Sequence, residues 1–298
     1  MNTHPASRTT RDALATLGLD PDEVAALVAT ALDEDLRYGP DVTTTATVPA
    51  DASSTASVVA RRPGTVAGID VGLLVLDTVI GADNYDVSER VAEGASVTAG
   101  ESVLTVTAPT RGLLTAERTM LNLLCHLSGI ATTTAAWVAE VAETETQIRD
   151  SRKTMPGMRA LQKYAVRAGG GVNHRMGLGD AALIKDNHVV AAGSVVAALE
   201  AVRAAAPDME CEVEVDSLEQ LDEVLAEDVD LVLLDNFALW QTQMAVQRRA
   251  KLSPDTRLES SGGLTIDVAR DYAKTGVDFL AIGGLTHSVS VLDLGLDM

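Results

Sequence analysis

From Glu143 onward the chain alternates short apolar runs with helical patterns, and that alternation limits this half to a parallel α/β sheet. The apolar runs are Thr146 to Asp150, Ala181 to Lys185, Cys211 to Val215, Leu231 to Leu234, Arg257 to Glu259 and Phe279 to Ile282. Helical patterns stand between them at Met158 to Ala168, Val195 to Ala206, Leu218 to Ala226 and Ile266 to Lys274. Such βα repeats close into a barrel or spread into an open, doubly wound sheet, and the polar residues favour the barrel. Each run ends in groups able to do chemistry: Arg152-Lys153, Lys185-Asp186, Glu214 with Asp216, Asp235-Asn236, Ser260-Ser261 and Gly283-Gly284. Functional ends on every strand suit a barrel mouth, where βα loops build the site. An open sheet would gather them at one switch point.

The first half reads differently. Asp20-Pro21-Asp22-Glu23 supplies an N-cap, a proline at the first helical position and a capping-box glutamate ahead of Val24 to Leu32. Short strands follow at Ser57 to Ala60, Tyr85 to Val91 and Ser102 to Thr107, punctuated by Gly94, Gly100 and Pro109, with a buried helix over Val71 to Ile80. A long helical pattern runs from Leu114 to Val141 with a break expected near Gly129. The expected division is a flexible tail over 1–20, an α+β domain with linking helices over 21–142, and the βα domain over 143–298.

With 46% hydrophobic residues the chain can bury a substantial core, and no apolar run reaches the roughly 18 residues of a membrane span. Met1 to Thr10 lacks the apolar stretch of a secretory signal. The two cysteines, Cys125 and Cys211, read as buried free thiols of a reducing cytoplasm. A net charge of −20 argues against nucleic acid or anionic lipid as a partner.

Against that background, Ile148 to His188 carries eight cations and three acids. Arg159, Lys163 and Arg167 fall at helical spacing and are expected on a solvated face. Arg152, Lys153, Arg175 and Lys185 fall at strand ends and in a Gly-rich loop, where they can converge on a ligand with several anionic groups. Arg meets a carboxylate or phosphate through a planar fork, and Lys acts as a point charge. Glu214 and Asp235 end successive strands and can hold Mg²⁺, directly or through water, or accept hydrogen bonds from sugar hydroxyls. A Glu214–Lys185 ion pair is the plainer reading. Ser261-Gly262-Gly263 and Ile282-Gly283-Gly284 end the last two strands, where barrels commonly hold a phosphate.

Asp150-Ser151-Arg152-Lys153-Thr154-Met155-Pro156-Gly157, Gly169-Gly170-Gly171-Val172-Asn173-His174-Arg175 and Leu183-Ile184-Lys185-Asp186-Asn187-His188 together resemble the quinolinate phosphoribosyltransferases. The resemblance extends to Glu117-Arg118-Thr119, Glu212-Val213-Glu214-Val215, Leu234-Asp235-Asn236-Phe237, Glu259-Ser260-Ser261-Gly262-Gly263 and Leu285-Thr286-His287-Ser288. Ser151 and Ser260 stand where the family more often has Thr and Ala, and no charged site residue is lost. The resemblance implies an N-terminal α+β sandwich and an incomplete, TIM-like parallel β/α barrel of about seven strands, six of them visible in the apolar pattern. It also implies a homodimer in which Arg118 reaches the partner's site.

The implied reaction joins quinolinate to phosphoribosyl pyrophosphate (PRPP) with Mg²⁺ and no prosthetic group, releasing pyrophosphate and CO₂. Lys153, Lys185, Glu214 and Asp235 are the expected catalytic residues. Arg118, Arg152, Thr154, His174, Arg175 and His287 join them in substrate binding, together with the two glycine loops. Rival readings are a barrel aldolase with Lys185 as Schiff base, a non-catalytic anion binder, and a phosphoribosyltransferase for another pyridine or pyrimidine acid.

Overall fold

The computed structural model describes residues 4–298. The chain forms two compact units. The first runs to Ala135 and includes Met155–Gly170 and Ser288–Met298; the second comprises Ala136–Thr154 and Gly171–His287. The last strand and one mid-chain helix therefore group with the N-terminal half, although the sequence pattern assigned them to the βα domain. Pattern reading assumes that neighbours in sequence stay neighbours in space.

The first unit opens with α1 (Arg8–Thr16), α2 (Pro21–Leu36) and α3 (Val42–Thr47), then β1 (Ser53–Ala60), β2 (Gly64–Thr65), α4 (Ile69–Ile80), β3 (Asp86–Arg90), β4 (Ser96–Val97), β5 (Ser102–Pro109) and α5 (Thr110–Val141), which continues into the second unit. Within the tail expected over 1–20, Arg8–Thr16 is helical, and residues 1–3 lie outside the described residues. Ser7 caps α1 by accepting from the Thr10 N–H, and Leu14 and Leu19 are buried.

Helix α4 is buried along nearly its whole length, and its two acids are matched. Asp70 receives both terminal nitrogens of Arg90 at 2.8 and 3.0 Å, and Asp77 accepts from the Tyr85 hydroxyl at 2.7 Å. Gly68 (φ 99°) begins the helix without a side-chain cap of its own, and Glu93 accepts its N–H at 2.8 Å. Helix α5 passes Gly129 unbroken. A Cβ there would lie 2.3 Å from the Ser290 carbonyl oxygen, so close packing rather than a helix stop requires this glycine.

The second unit contains β6 (Gln147–Arg149), and α6 (Arg159–Ala168) then returns to the first unit. Lys163, expected on a solvated face of α6, is fully buried within the run Leu161 to Val166. The second unit resumes with β7 (Ala182–Ile184), α7 (Asp186–Ala192), α8 (Val195–Ala205), β8 (Cys211–Val215), α9 (Leu218–Leu225), β9 (Leu231–Asp235), α10 (Leu239–Leu252), β10 (Arg257–Ser261), α11 (Ile266–Ala273), β11 (Phe279–Ala281) and α12 (Gly284–His287). The chain closes with β12 (Leu294–Asp297).

The first unit's main sheet has the order β12-β1-β5-β3, with all pairs antiparallel. The second unit's sheet has six strands in the order β6-β11-β10-β9-β8-β7, and every ladder is parallel. Beyond β6, Arg149 makes one further parallel bridge to Val172. No ladder joins β7 to β6 among the described residues. Alternation places Glu212 and Glu214 on one face of β8, with Val213 and Val215 on the other.

Both cysteines are free, Cys211 buried and Cys125 half-buried rather than buried. No single helix among the described residues is long and apolar enough to cross a membrane.

Candidate active site

Nine of the expected site residues line one cavity of about 310 Å³ in the second unit: Arg152, Lys153, His174, Arg175, Lys185, Glu214, Asp235, Ser261 and Gly283. Most stand at or just beyond strand ends, because parallel strands bring all their C-terminal ends to one edge. Lys185 follows β7 and begins α7, and its ammonium bonds the Glu214 carboxylate on neighbouring β8. Asp235 ends β9, and one of its oxygens accepts from Asn236 Nδ2 at 2.8 Å. Ser261 ends β10, and its carbonyl accepts the Asn236 N–H at 2.8 Å. Next to it, a Cβ on Gly262 (φ 89°) would lie 2.3 Å from Asn236 Oδ1, so only glycine lets these two loops meet.

Lys153 is held by its backbone. Its N–H donates to Ser151 Oγ at 3.1 Å, and its carbonyl accepts from Thr286 Oγ1 at 2.8 Å. The side chain crosses Gly283, where a Cβ would be 2.9 Å from Lys153 Cδ and 3.5 Å from His287 Nε2. Lys153, Gly283 and His287 thus meet at the ends of β6 and β11. Thr154 follows Lys153 and is half-buried.

Ile282 requires a correction. It was expected to offer its backbone to a phosphate, but its N–H donates to the Arg149 carbonyl at 2.8 Å and its side chain is buried. The bond extends the β11–β6 pairing, which leaves Gly283 and Gly284 as the approachable part of that loop. Arg118 lies on α5 in the first unit and is exposed.

The electrostatics of the cavity are dominated by two guanidinium groups. Arg175 is anchored by a bond from Nη1 to the Ala181 carbonyl at 2.9 Å. Burial and then the nearby Arg152 push its pKa down, so the arginines oppose each other's charge. The Nε of each is buried without a hydrogen-bond partner. Such an arrangement is costly until an anion with several acceptors satisfies it. On the far side of Glu214 and Asp235 lies a second cavity of about 440 Å³, also bordered by Asp186, Asp216 and Glu223.

At the floor of the cavity His174, expected among the substrate-binding residues, joins a charged layer of Arg149, Asp150, Glu212 and Glu259, for which no role was expected from the sequence. Asp150, fully buried, accepts from Asn173 Nδ2 at 2.6 Å and from the His174 N–H at 2.8 Å. Arg149 Nη1 donates to Glu259 Oε2 at 2.8 Å, and its guanidinium lies 4.6 Å from the centre of the Phe279 ring. His174 Nε2 is 2.8 Å from Glu212 Oε2 and 3.7 Å from Glu259 Oε1. Burial pushes both glutamates up to about 7. Glu212 and Glu259 precede Glu214 and Ser261 by two residues on their strands. A charge two places before a strand-end residue was the signal that could have revealed this layer.

Comparison with known proteins agrees with this geometry. Residues 41–128 match the family model for the quinolinate phosphoribosyl transferase N-terminal domain, and residues 130–297 match that for the C-terminal domain. The chain belongs to the quinolinate phosphoribosyltransferase family. It is 67% identical over 268 residues to the nicotinate-nucleotide pyrophosphorylase [carboxylating] of Mycobacterium leprae, covering 90% of this chain and 94% of that one. The human protein of the same name is 36% identical, with 94% of this chain and 93% of the human chain covered. Among solved structures, the nicotinate-nucleotide pyrophosphorylase from Francisella tularensis superposes with a TM-score of 0.87 at 36% identity, covering 93% of this chain and 96% of that one.

Proposed function

We propose that the chain transfers the phosphoribosyl group of PRPP to quinolinate and decarboxylates the product, giving nicotinate mononucleotide, pyrophosphate and CO₂ for NAD biosynthesis. Family membership supports the activity. The observation that carries the substrate is the Arg152–Arg175 pair, two mutually repelling guanidiniums with unmet buried donors. Quinolinate brings two adjacent carboxylates, which satisfy both forks in one plane. Lys185 and His174 border the same space, and Thr154 follows Lys153 at its edge.

Glu214 and Asp235 face the ribose. Positive charge develops at the anomeric carbon as pyrophosphate leaves, and two fixed carboxylates stabilise it without having to reorient. Lys153, over Gly283 and beside His287, draws the leaving pyrophosphate. Ser261, Gly262, Gly263, Gly283 and Gly284 hold the 5′-phosphate through their loops. The 2-carboxylate then departs as CO₂ from a ring whose nitrogen is already cationic; that cation stabilises the electron pair left at C2, which takes up a proton from solvent to give nicotinate mononucleotide. No prosthetic group is needed for this step.

Hard oxygen donors on adjacent strands, Glu214 and Asp235, fit Mg²⁺, which keeps much of its water and asks few protein ligands. When bound, the ion neutralises charge on the pyrophosphate. The six parallel strands, with Val172 as a rudimentary seventh beside β6, are read as an incomplete barrel. The two-domain division is read as an N-terminal sandwich and a catalytic barrel. The working protein is read as a cytoplasmic homodimer in which Arg118 reaches the partner's site and adds a further cation for the dianion.

A product assay tests the reading. Quinolinate, PRPP and Mg²⁺ should yield nicotinate mononucleotide, and nicotinate offered in competition should not be consumed. Use of nicotinate instead would overturn the substrate assignment. The Lys185–Glu214 ion pair disfavours the aldolase alternative, because a Schiff-base lysine must be the free amine.

A further inference from the structure

We infer that Glu212 is a positioning residue of the acid-binding site: it holds the His174 ring and, through it, the backbone of Arg175. The inference rests on the reading that Arg175 binds a carboxylate of quinolinate.

Three contacts build the case. First, the Arg175 backbone N–H donates to His174 Nδ1 at 2.7 Å, so that nitrogen is an acceptor and the ring proton of a neutral imidazole sits on Nε2. Second, Nε2 lies 2.8 Å from Glu212 Oε2, with Glu259 Oε1 farther off at 3.7 Å. Both ring nitrogens are engaged with the protein. Third, Glu259 is fixed from behind by Arg149, which is itself laid against Phe279. The Asn173-His174-Arg175 segment is therefore fastened at two levels, by Asp150 on the Asn173 side-chain amide and the His174 N–H and by Glu212 on the imidazole. Glu212 is 3% exposed, and Glu259 is fully buried at the floor of the 310 Å³ cavity.

The geometry explains a feature of the cavity. A guanidinium beside another guanidinium is pushed away unless its segment is held, and the Arg175 side chain is tied by the bond to the Ala181 carbonyl. The imidazole supplies the missing constraint at the Arg175 N–H. A chain of hydrogen bonds in a dry interior holds its members more firmly than the same groups would be held in water.

The test compares Glu212→Gln with Glu212→Leu, both checked for folding by circular dichroism and thermal melting. Glutamine keeps an oxygen for the His174 Nε2 proton, and leucine keeps only the volume. Calorimetry should show quinolinate binding weakened about tenfold or more by leucine and largely restored by glutamine, with PRPP binding unchanged in both. Equal losses for the two ligands, or a folded leucine variant that binds quinolinate normally, overturns the inference. Arg175→Ala is the control. If it leaves quinolinate affinity intact, the reading of Arg175 fails; if it abolishes affinity while Glu212→Leu does not, only the positioning role fails. Should the leucine variant not fold, nitrogen NMR of histidine-labelled wild-type protein decides. His174 should show the Nε2-protonated tautomer with and without quinolinate. A switch of the ring nitrogens on adding quinolinate would place His174 on the ligand and reject the inference.

Discussion

Glu212 and Glu214 leave one strand two residues apart, on the same face, and meet different surroundings. Glu214 borders a 310 Å³ cavity and bonds Lys185, whose side chain remains 44% exposed. Glu212 lies one layer deeper, against His174, where burial pushes its carboxyl up to about 7. Lys153 and Arg149 differ in the same way, and Glu259, although it reaches the cavity floor, is paired with Arg149. The upper row points charges at a space a ligand can fill, and the lower row spends its charges on other protein groups. Depth along the strand, more than residue type, divides binding and chemistry from support.

The sharpest attempt to break this contrast is Asp235→Asn, in the upper row. Turnover should fall by about a hundredfold or more, as when other preorganised charges are removed, with quinolinate affinity little changed. Calorimetry and steady-state kinetics on the same preparation check it, and a loss confined to quinolinate affinity would misplace the residue. Next comes Arg175→Ala. It should cost quinolinate binding about 2–3 kcal/mol, the value of a charge-assisted fork in a desolvated site. PRPP binding should hold.

A smaller effect asks which chain completes the upper row. Arg118→Ala and Lys185→Ala should each be nearly inactive alone. Unfolded and refolded together in equal amounts, they should regain about a quarter of wild-type activity under random pairing, because each mixed dimer has one intact site. Proven mixed dimers without recovery would exclude action across the interface.

The smallest effect probes the lower row. The Glu259 carboxyl is raised from 4.5 to about 7, first by burial and then by Glu212. Between those values the folded chain keeps a proton that the unfolded chain has lost, so this group's contribution to stability declines as pH rises through the window. Glu259→Gln removes the dependence. The melting-temperature difference, wild type minus variant, should therefore shrink between pH 5 and pH 8, at about 2–4 °C for each kcal/mol. A difference independent of pH would mean that Glu259 carries the same charge in both states.

The upper row was legible in the sequence, and the lower row was not. Polar groups after apolar runs announce strand ends without any knowledge of packing, which is how Lys153, Lys185, Glu214 and Asp235 emerged. Charges two places before the strand ends mark Glu212 and Glu259, but nothing local shows that Glu212 meets His174 or that Glu259 meets Arg149. Strands β6 to β11 were all found within a few residues because β-branched and leucine runs mark buried parallel strands. Helix α10 was missed since only Thr242 and Ala245 are buried on it, too few to set a period. Strand β12 escaped notice because its partner, β1, lies at the other end of the chain.

That last pairing has a consequence for how the protein is made. Ser57 to Ala60 wait for Leu294 to Asp297, so the first sheet lacks an edge strand until β12 has been made. At the pace of a ribosome, the gap between synthesising β5 and β12 is on the order of ten seconds or more. Throughout that interval β1 presents unpaired N–H and C=O groups to the crowded cell, a template for pairing with another nascent chain. The whole βα half is translated inside the same interval.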